Sequence, residues 1–177
     1  LERIEGVAAV YPMVGASFPL RAEGGARLFG RGIRTDLFAT GVAPELVAED
    51  VAAGHKFEDP GPDGKVIPVL VARRLLDLYN STVAAAIGQP KLSAEAIIGF
   101  SAEIVLGSSY VRGTPDPSKV ERKIGQIVGV SEKATLVGIT IPEATMRRWN
   151  ATHGEGVSPI AAAYVRTKTP ADAGPVA

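Results

Sequence analysis

Hydrophobic and polar positions along the chain fall into short blocks, and the spacing within each block predicts an element. Residues 7–18, VAAVYPMVGASF, form an apolar run interrupted at Pro12 and Gly15, which predicts an irregular strand. A Gly/Arg-rich connection follows, and RTDLFATGV (34–42) predicts the next strand. In APELVAEDVAAGH, Pro44 and Glu45 suit a helix start, Leu46, Val47 and Val51 share one face, and Gly54 suits its stop. HKFEDPGPDGK (55–65) is a loop, with Pro62-Asp63-Gly64 in the residue order of a tight turn.

The run VIPVLVARRLLDLYN (66–80) has ten apolar positions in fifteen. It is no membrane span, because a spanning helix needs roughly 20 mainly apolar residues and Arg73, Arg74 and Asp77 interrupt it. It predicts a short buried strand feeding a helix, with Leu75, Leu76 and Tyr79 on the inner face and Asn80 as a left-handed C-terminal cap. SAEIVLGSSYVR (101–112) alternates so that Ala102, Ile104, Leu106 and Tyr110 share a face. GTPDPSKV is a turn-rich connection to an antiparallel partner, RKIGQIVGV (122–130). Glycines 107, 125 and 129 within these strands predict bulges or close backbone approach.

At the ends, Leu1 and Ile4 are spaced as on one helix face, with Gly6 placed to stop that helix. IAAAYVRT reads as a strand, and PADAGPVA as a helix opening at Pro170. This pattern predicts a chain that begins late in one helix and stops early in another, a piece of a longer protein. There is also an internal echo. PVLVARRLLDLYN (68–80) and GITIPEATMRRWN (138–150) share length and plan, a strand, a helix, then an aromatic residue and Asn. They are two copies of one supersecondary unit, or a coincidence.

Composition adds exclusions. The 177 residues fit one ordinary domain or two small subdomains. Nineteen basic and nineteen acidic residues cancel, so nothing in the charge favours nucleic acid or an anionic membrane surface. With no cysteine there are no disulfides, thiolate zinc sites or cysteine nucleophiles, and the compartment stays open.

Candidate chemistry is sparse. The turn at 71–73 reads V-A-R and lacks the glycines and nucleophile of a G-x-S-x-G elbow. Glycines 30 and 32 begin a dinucleotide-like pattern, but Thr35 stands where its third glycine belongs, and no P-loop occurs. His55, Glu58, Asp59 and Asp63 share a loop without metal-ligand spacing, which favours a solvated loop. Asn80-Ser-Thr and Asn150-Ala-Thr match the glycosylation triplet, and helix-capping asparagines are the favoured explanation. Trp149 and Tyr79 read as core or rim aromatics. No catalytic residue, cofactor site or metal site is assigned. For an enzyme, the residues least unfit are His55, Glu58 and Asp63.

The order of segments resembles the extracytoplasmic (periplasmic core) domain of ABC transporter permeases of the MacB/FtsX-like type, the group that includes the LolC/LolE permeases. LERIEGVAAVYPMV resembles the opening of such domains. PVLVARRLLDLYN resembles the strand and helix ahead of their inserted subdomain, RKIGQIVGVSE the strand ending in Val-Gly-Val, and AAAYVRTKTPADAGPV the returning strand and helix. Residues 81–100 depart from the commoner pattern. The resemblance implies a transmembrane helix upstream and three downstream, a cytoplasmic ATPase partner, a permease dimer, and an extracytoplasmic protein, lipid or peptide cargo. It implies a location at the cell membrane facing the periplasm or exterior, and no catalytic residue.

The expected fold is α+β, with a membrane-proximal base subdomain from 1–80 and 155–177 and an inserted β-rich subdomain from 81–154. The expected function is mechanical. The alternative is a free-standing ligand-binding or sensor module using a cleft between the subdomains. At the tip of the 101–130 hairpin, GTPDPSKVERK (113–123), the expected partner contacts are Arg112, Lys119, Arg122 and Lys123.

Overall fold

The computed structural model describes residues 6–25, 32–111, 116–154, 156–169 and 173. The helices expected at Leu1–Ile4 and at Pro170, and Arg112, lie outside the described residues. The architecture is α+β, as the pattern of short strands predicts.

β1 (Val7–Gly15), β2 (Leu20–Gly24), β3 (Ile33–Leu37) and β4 (Ala39–Val42) come first. β5 (Val66–Ala72) runs directly into helix α1 (Arg73–Leu78), a π-helical turn (Tyr79–Val83) and α2 (Ala84–Ala86). The short helix α3 (Ala94–Ile97) precedes β6 (Ser101–Leu106) and β7 (Glu121–Ser131). β8 (Ile139–Pro142) feeds α4 (Glu143–His153), and β9 (Ile160–Thr167) follows.

All nine strands form one sheet in the order β3-β2-β6-β7-β5-β8-β4-β1-β9. Two of its pairings are parallel, β4 with β8 and β5 with β7. The strand expected at 34–42 exists but breaks at Phe38 into β3 and β4, which stand first and seventh in that order. Leu37 and Ala39 are only two residues apart, so they lie within about 7–8 Å of each other. The sheet must therefore curl until its first strand meets its seventh, where the chain itself joins them. β3–β4, β2, β6, β7, β5 and β8 make the resulting ring, while β1 and β9 extend from β4.

One core fills part of the ring: Leu20, Ile67, Ile104, Leu106, Ile141, Met146 and Trp149, with Phe18 edge-on to Trp149 at 6.4 Å between centroids. Trp149 is thus a core aromatic, as its sequence context predicts. A second core lies where Met13, Val42, Val47, Phe57, Leu70 and Val128 meet. Gly41 lets α4 approach this closely: a Cβ there would come within 2.5 Å of the Met146 Cβ.

Several local expectations differ from the structure. The helix over 44–53 is instead two 3₁₀ turns, Pro44–Leu46 and Ala48–Asp50, followed by a bridge from Val51 to Gly129. Docking Val47 into the second core, fully buried, and pairing Val51 replace the helical bonds that a longer helix would make. The Gly/Arg-rich connection contains β2, which has partners on both sides, β3 and β6. Asn80 is not a left-handed cap; among the described residues only glycines have positive φ. It sits inside the π turn, with its amide turned outward to another segment. Tyr110 lies beyond the end of β6, because Gly107 turns the chain at φ 70°. Its hydroxyl donates to Glu23 Oε1 at 2.9 Å instead.

The expected irregularities at Gly107 and Gly129 are present: a Cβ at Gly107 would come within 2.3 Å of the Lys119 carbonyl oxygen. The β5–β7 register shifts next to Gly129, and a Cβ at Gly129 would come within 2.2 Å of the Asp50 carbonyl oxygen. Both members of the internal echo are strand-to-helix units, and their strands touch at Leu70 and Thr140.

Candidate functional site

The basic residues expected at the hairpin tip have different surroundings. Lys119 ends a 3₁₀ turn and is exposed. Arg122, also exposed, is ion-paired with Glu103 on the neighbouring strand. Lys123 is 8% exposed; its ammonium is 2.8 Å from Glu121 and donates to the Pro62 carbonyl. Burial works to raise the Glu121 pKa, but hydrogen bonds and charge from Lys123 and His153 outweigh it and hold the carboxyl below its usual value. The buried His153 ring bridges Glu121 Oε2 at 3.0 Å and the Lys119 carbonyl at 2.9 Å, tying α4 to the start of β7. Inward-facing Lys123, through its ion pair, and His153, through its hydrogen bonds, hold the fold together in ways that sequence alternation does not reveal.

The 55–65 loop behaves as a structural tether. Asp59 receives the Arg148 guanidinium and the Thr145 hydroxyl, both on α4, and Arg148 also donates to the Gly61 carbonyl at 3.0 Å. Glu58 is exposed and lies 4.0 Å from Lys56. Asp63 is exposed in the turn, and the His55 N–H donates to the Ala52 carbonyl. Among the described residues, no group of three or more metal-ligating side chains comes together.

The two triplet asparagines have matching roles that differ from the expected caps. The Asn80 amide exchanges two hydrogen bonds with the Leu92 backbone, both 2.8 Å. Asn150, fully buried, accepts from the Ser17 N–H at 2.7 Å and donates to the Gly15 carbonyl at 2.9 Å. Each helix thus grips an extended backbone segment with a side-chain amide.

The feature best suited to an apolar ligand is a cavity of about 390 Å³. Its floor is the curled sheet, where Ala22, Val69, Ala102, Ile104 and Ile127 face inward. Its roof is the segment from α1 to α3, which contributes Leu75, Leu78, Val83, Leu92 and Ile97. The wall is almost wholly apolar. The Asn80–Leu92 clamp fixes the roof across the π turn. A second depression of about 740 Å³, running past Phe18, Asp36, Phe38 and Val137, is more polar. Sequence reasoning centred on polar chemistry passes over the apolar cavity, since its lining comes from well-separated segments. The only signal was the alternation of Val69, Val71, Ile104 and Ile127 on buried strands.

Fold and site together define an α+β domain whose curled sheet encloses an apolar cavity. Residues 1–174 match the PCD-like family, described as the periplasmic core domain of probable transporters, and the chain belongs to that family. The family describes it as the periplasmic core domain of a probable transporter, a kind of protein that is membrane-associated. Among the described residues no helix is long and apolar enough to cross a membrane. No curated protein matches the chain. Among solved structures it is similar to a domain named for a permease protein of Porphyromonas gingivalis, at 14% identity and a TM-score of 0.40. The alignment covers 96% of this chain and 60% of that one.

Proposed function

We propose that this domain belongs to an ABC transporter permease of the MacB/FtsX-like type and is itself non-catalytic. It passes movement between membrane helices and an extracytoplasmic partner or cargo. ATP hydrolysis belongs to a cytoplasmic subunit or domain, and the permease works as a dimer. One observation carries the reading beyond the family. β1 and β9 are antiparallel neighbours at one side of the sheet, and the Lys168 N–H donates to the Gly6 carbonyl at 2.8 Å. The polypeptide therefore enters and leaves the fold side by side, as a domain inserted between two consecutive membrane segments requires. Force applied at that point reaches the ring through the β1–β4 pairing. Lys119 and Arg122, exposed near the β6–β7 turn, and Arg112 beside them in sequence, are the proposed partner contacts; Lys123, expected among them, is turned inward and paired with Glu121 instead.

The test uses the full transporter. A cysteine replacing the exposed Asp63 should react with a membrane-impermeant maleimide from outside the cytoplasmic membrane. Replacing residues 6–168 by a Gly/Ser linker should abolish transport while ATP hydrolysis continues. Labelling only after the membrane is lysed, or transport without the domain, would overturn the reading. The second reading is a ligand-binding or sensor module, favoured by the apolar cavity. A thermal-shift screen of the isolated chain tests it, and no shift with lipids, peptides or metabolites counts against it.

A further inference from the structure

We propose that the cavity between the curled sheet and the α1–α3 roof is a binding site for one aliphatic chain, the acyl tail of a lipid. The inference does not rest on the permease reading, since it concerns only the cavity. Its wall chemistry decides the ligand class. A charged group brought here would lose its hydration, and a peptide would leave its backbone N–H and C=O groups without partners. An aliphatic chain asks for neither, and gains apolar burial along its whole length.

Size agrees. The 390 Å³ volume falls within the roughly 300–1,000 Å³ range of small-molecule sites. At about 30 Å³ per group of the size of a water or methylene, it holds roughly a dozen carbons. Protein interiors are otherwise packed to crystal-like density, so a void of this size is unusual. It exists because Ala22 and Ala102 stand at wall positions where larger side chains would fill it. An apolar void of this kind stays dry and takes apolar guests.

The roof supplies an entrance. Leu78 and Val83 line the cavity, yet they remain 53% and 40% exposed. They flank or lie within the π turn, a local widening of the helix that interrupts its regular bonding. An apolar rim running from solvent into an apolar interior is what a chain sliding in from a bilayer or a carrier would need.

The isolated 177-residue chain is titrated with cis-parinaric acid, which fluoresces when it enters an apolar site. A saturable rise is expected. Ala22→Leu and Ala102→Leu, which fill the cavity, should each weaken binding by at least about tenfold, the loss of contact with a few methylenes, while thermal stability is kept or raised. Should either variant fail to fold, Leu78→Asp places a charge at the exposed rim and should weaken binding in a folded protein. Dodecanoic acid, a lysophospholipid and a triacylated lipopeptide are then used as competitors, and the one that displaces the probe best names the source of the chain. No saturable rise, no competition by any of the three, or unchanged affinity in every folded variant overturns the proposal.

Discussion

Asp59 shows how one residue of an apparently solvated loop can matter. The hydrogen bond from Arg148 lowers its pKa most; burial works against this, and Thr145, the Gly61 N–H and the Arg148 charge add to the lowering, to about 2 from 3.8. A depressed carboxyl pKa stabilises the fold fully above the unfolded value, and that stability is lost as pH falls through the folded value. The window is therefore between about pH 4 and pH 2. The full shift corresponds to on the order of 2 kcal/mol, and solvent screening of this partly exposed pair reduces it to about 1 kcal/mol. Asp59→Asn should cost about that much at pH 7 by urea unfolding, since the ion pair is gone. The gap between variant and parent should close as pH approaches 2. A gap that is constant over the same range would mean that Asp59 holds the loop by shape rather than charge. In the sequence this residue was one of four acidic or imidazole groups in a loop. Only the arrival of Arg148, 89 residues later, separates it from Glu58 and Asp63.

At the scale of elements, the asparagine clamps do the positioning. Asn150 sits on α4 and holds the turn between β1 and β2 by Ser17 and Gly15, and it also donates to the Ser158 hydroxyl at 3.3 Å. Removing the amide leaves the half-buried Ser17 N–H and Gly15 carbonyl without their side-chain partner. Asn150→Ala should therefore destabilise by about 2 kcal/mol, combining lost bonds with half-buried groups left short of a partner. Chemical denaturation measures it. A loss below about 0.5 kcal/mol, the level of an ordinary surface change, would show that the clamp contributes little. The triplet around Asn150 is legible from sequence, but its meaning is not, because a fully buried amide cannot accept a glycan while folded. Strand and helix of the echo units were legible, since alternation and a 3.6-residue stripe are local. The 3₁₀ turns at 44–50 were not. There Pro44, Leu46, Val47 and Val51 satisfy a helical pattern, yet the bridge to Gly129, far along the chain, takes Val51 into the sheet.

For the whole molecule, the paired β1 and β9 predict a cross-link. Val10 and Val165 face each other in register, and both are partly buried. Val10→Cys with Val165→Cys, in a chain that has no other cysteine, should form an intramolecular disulfide under mild oxidation. Closing a loop of nearly the whole chain should stabilise by about 2–4 kcal/mol, seen as a higher Tm in the oxidised form. A failure to cross-link, or formation only of dimers, would mean that the two ends are not neighbours, and the insertion argument would lose its basis.

By itself the sequence determined the α+β class, most of the strands, the core position of Trp149 and, through a resemblance whose coarser part the family supports, that this is a periplasmic core domain of transporter type. Those depend on periodicity, turn residues and segment order, all of which are written along the chain. The strand order, the curl at Phe38, the inward turn of Lys123 and the cavity were decided only by tertiary structure. The reason is that each depends on which distant segments meet. Val69, Ile104 and Ile127 are ordinary alternating strand residues until the ring closes, and the break between Leu37 and Ala39 is what brings its two ends together.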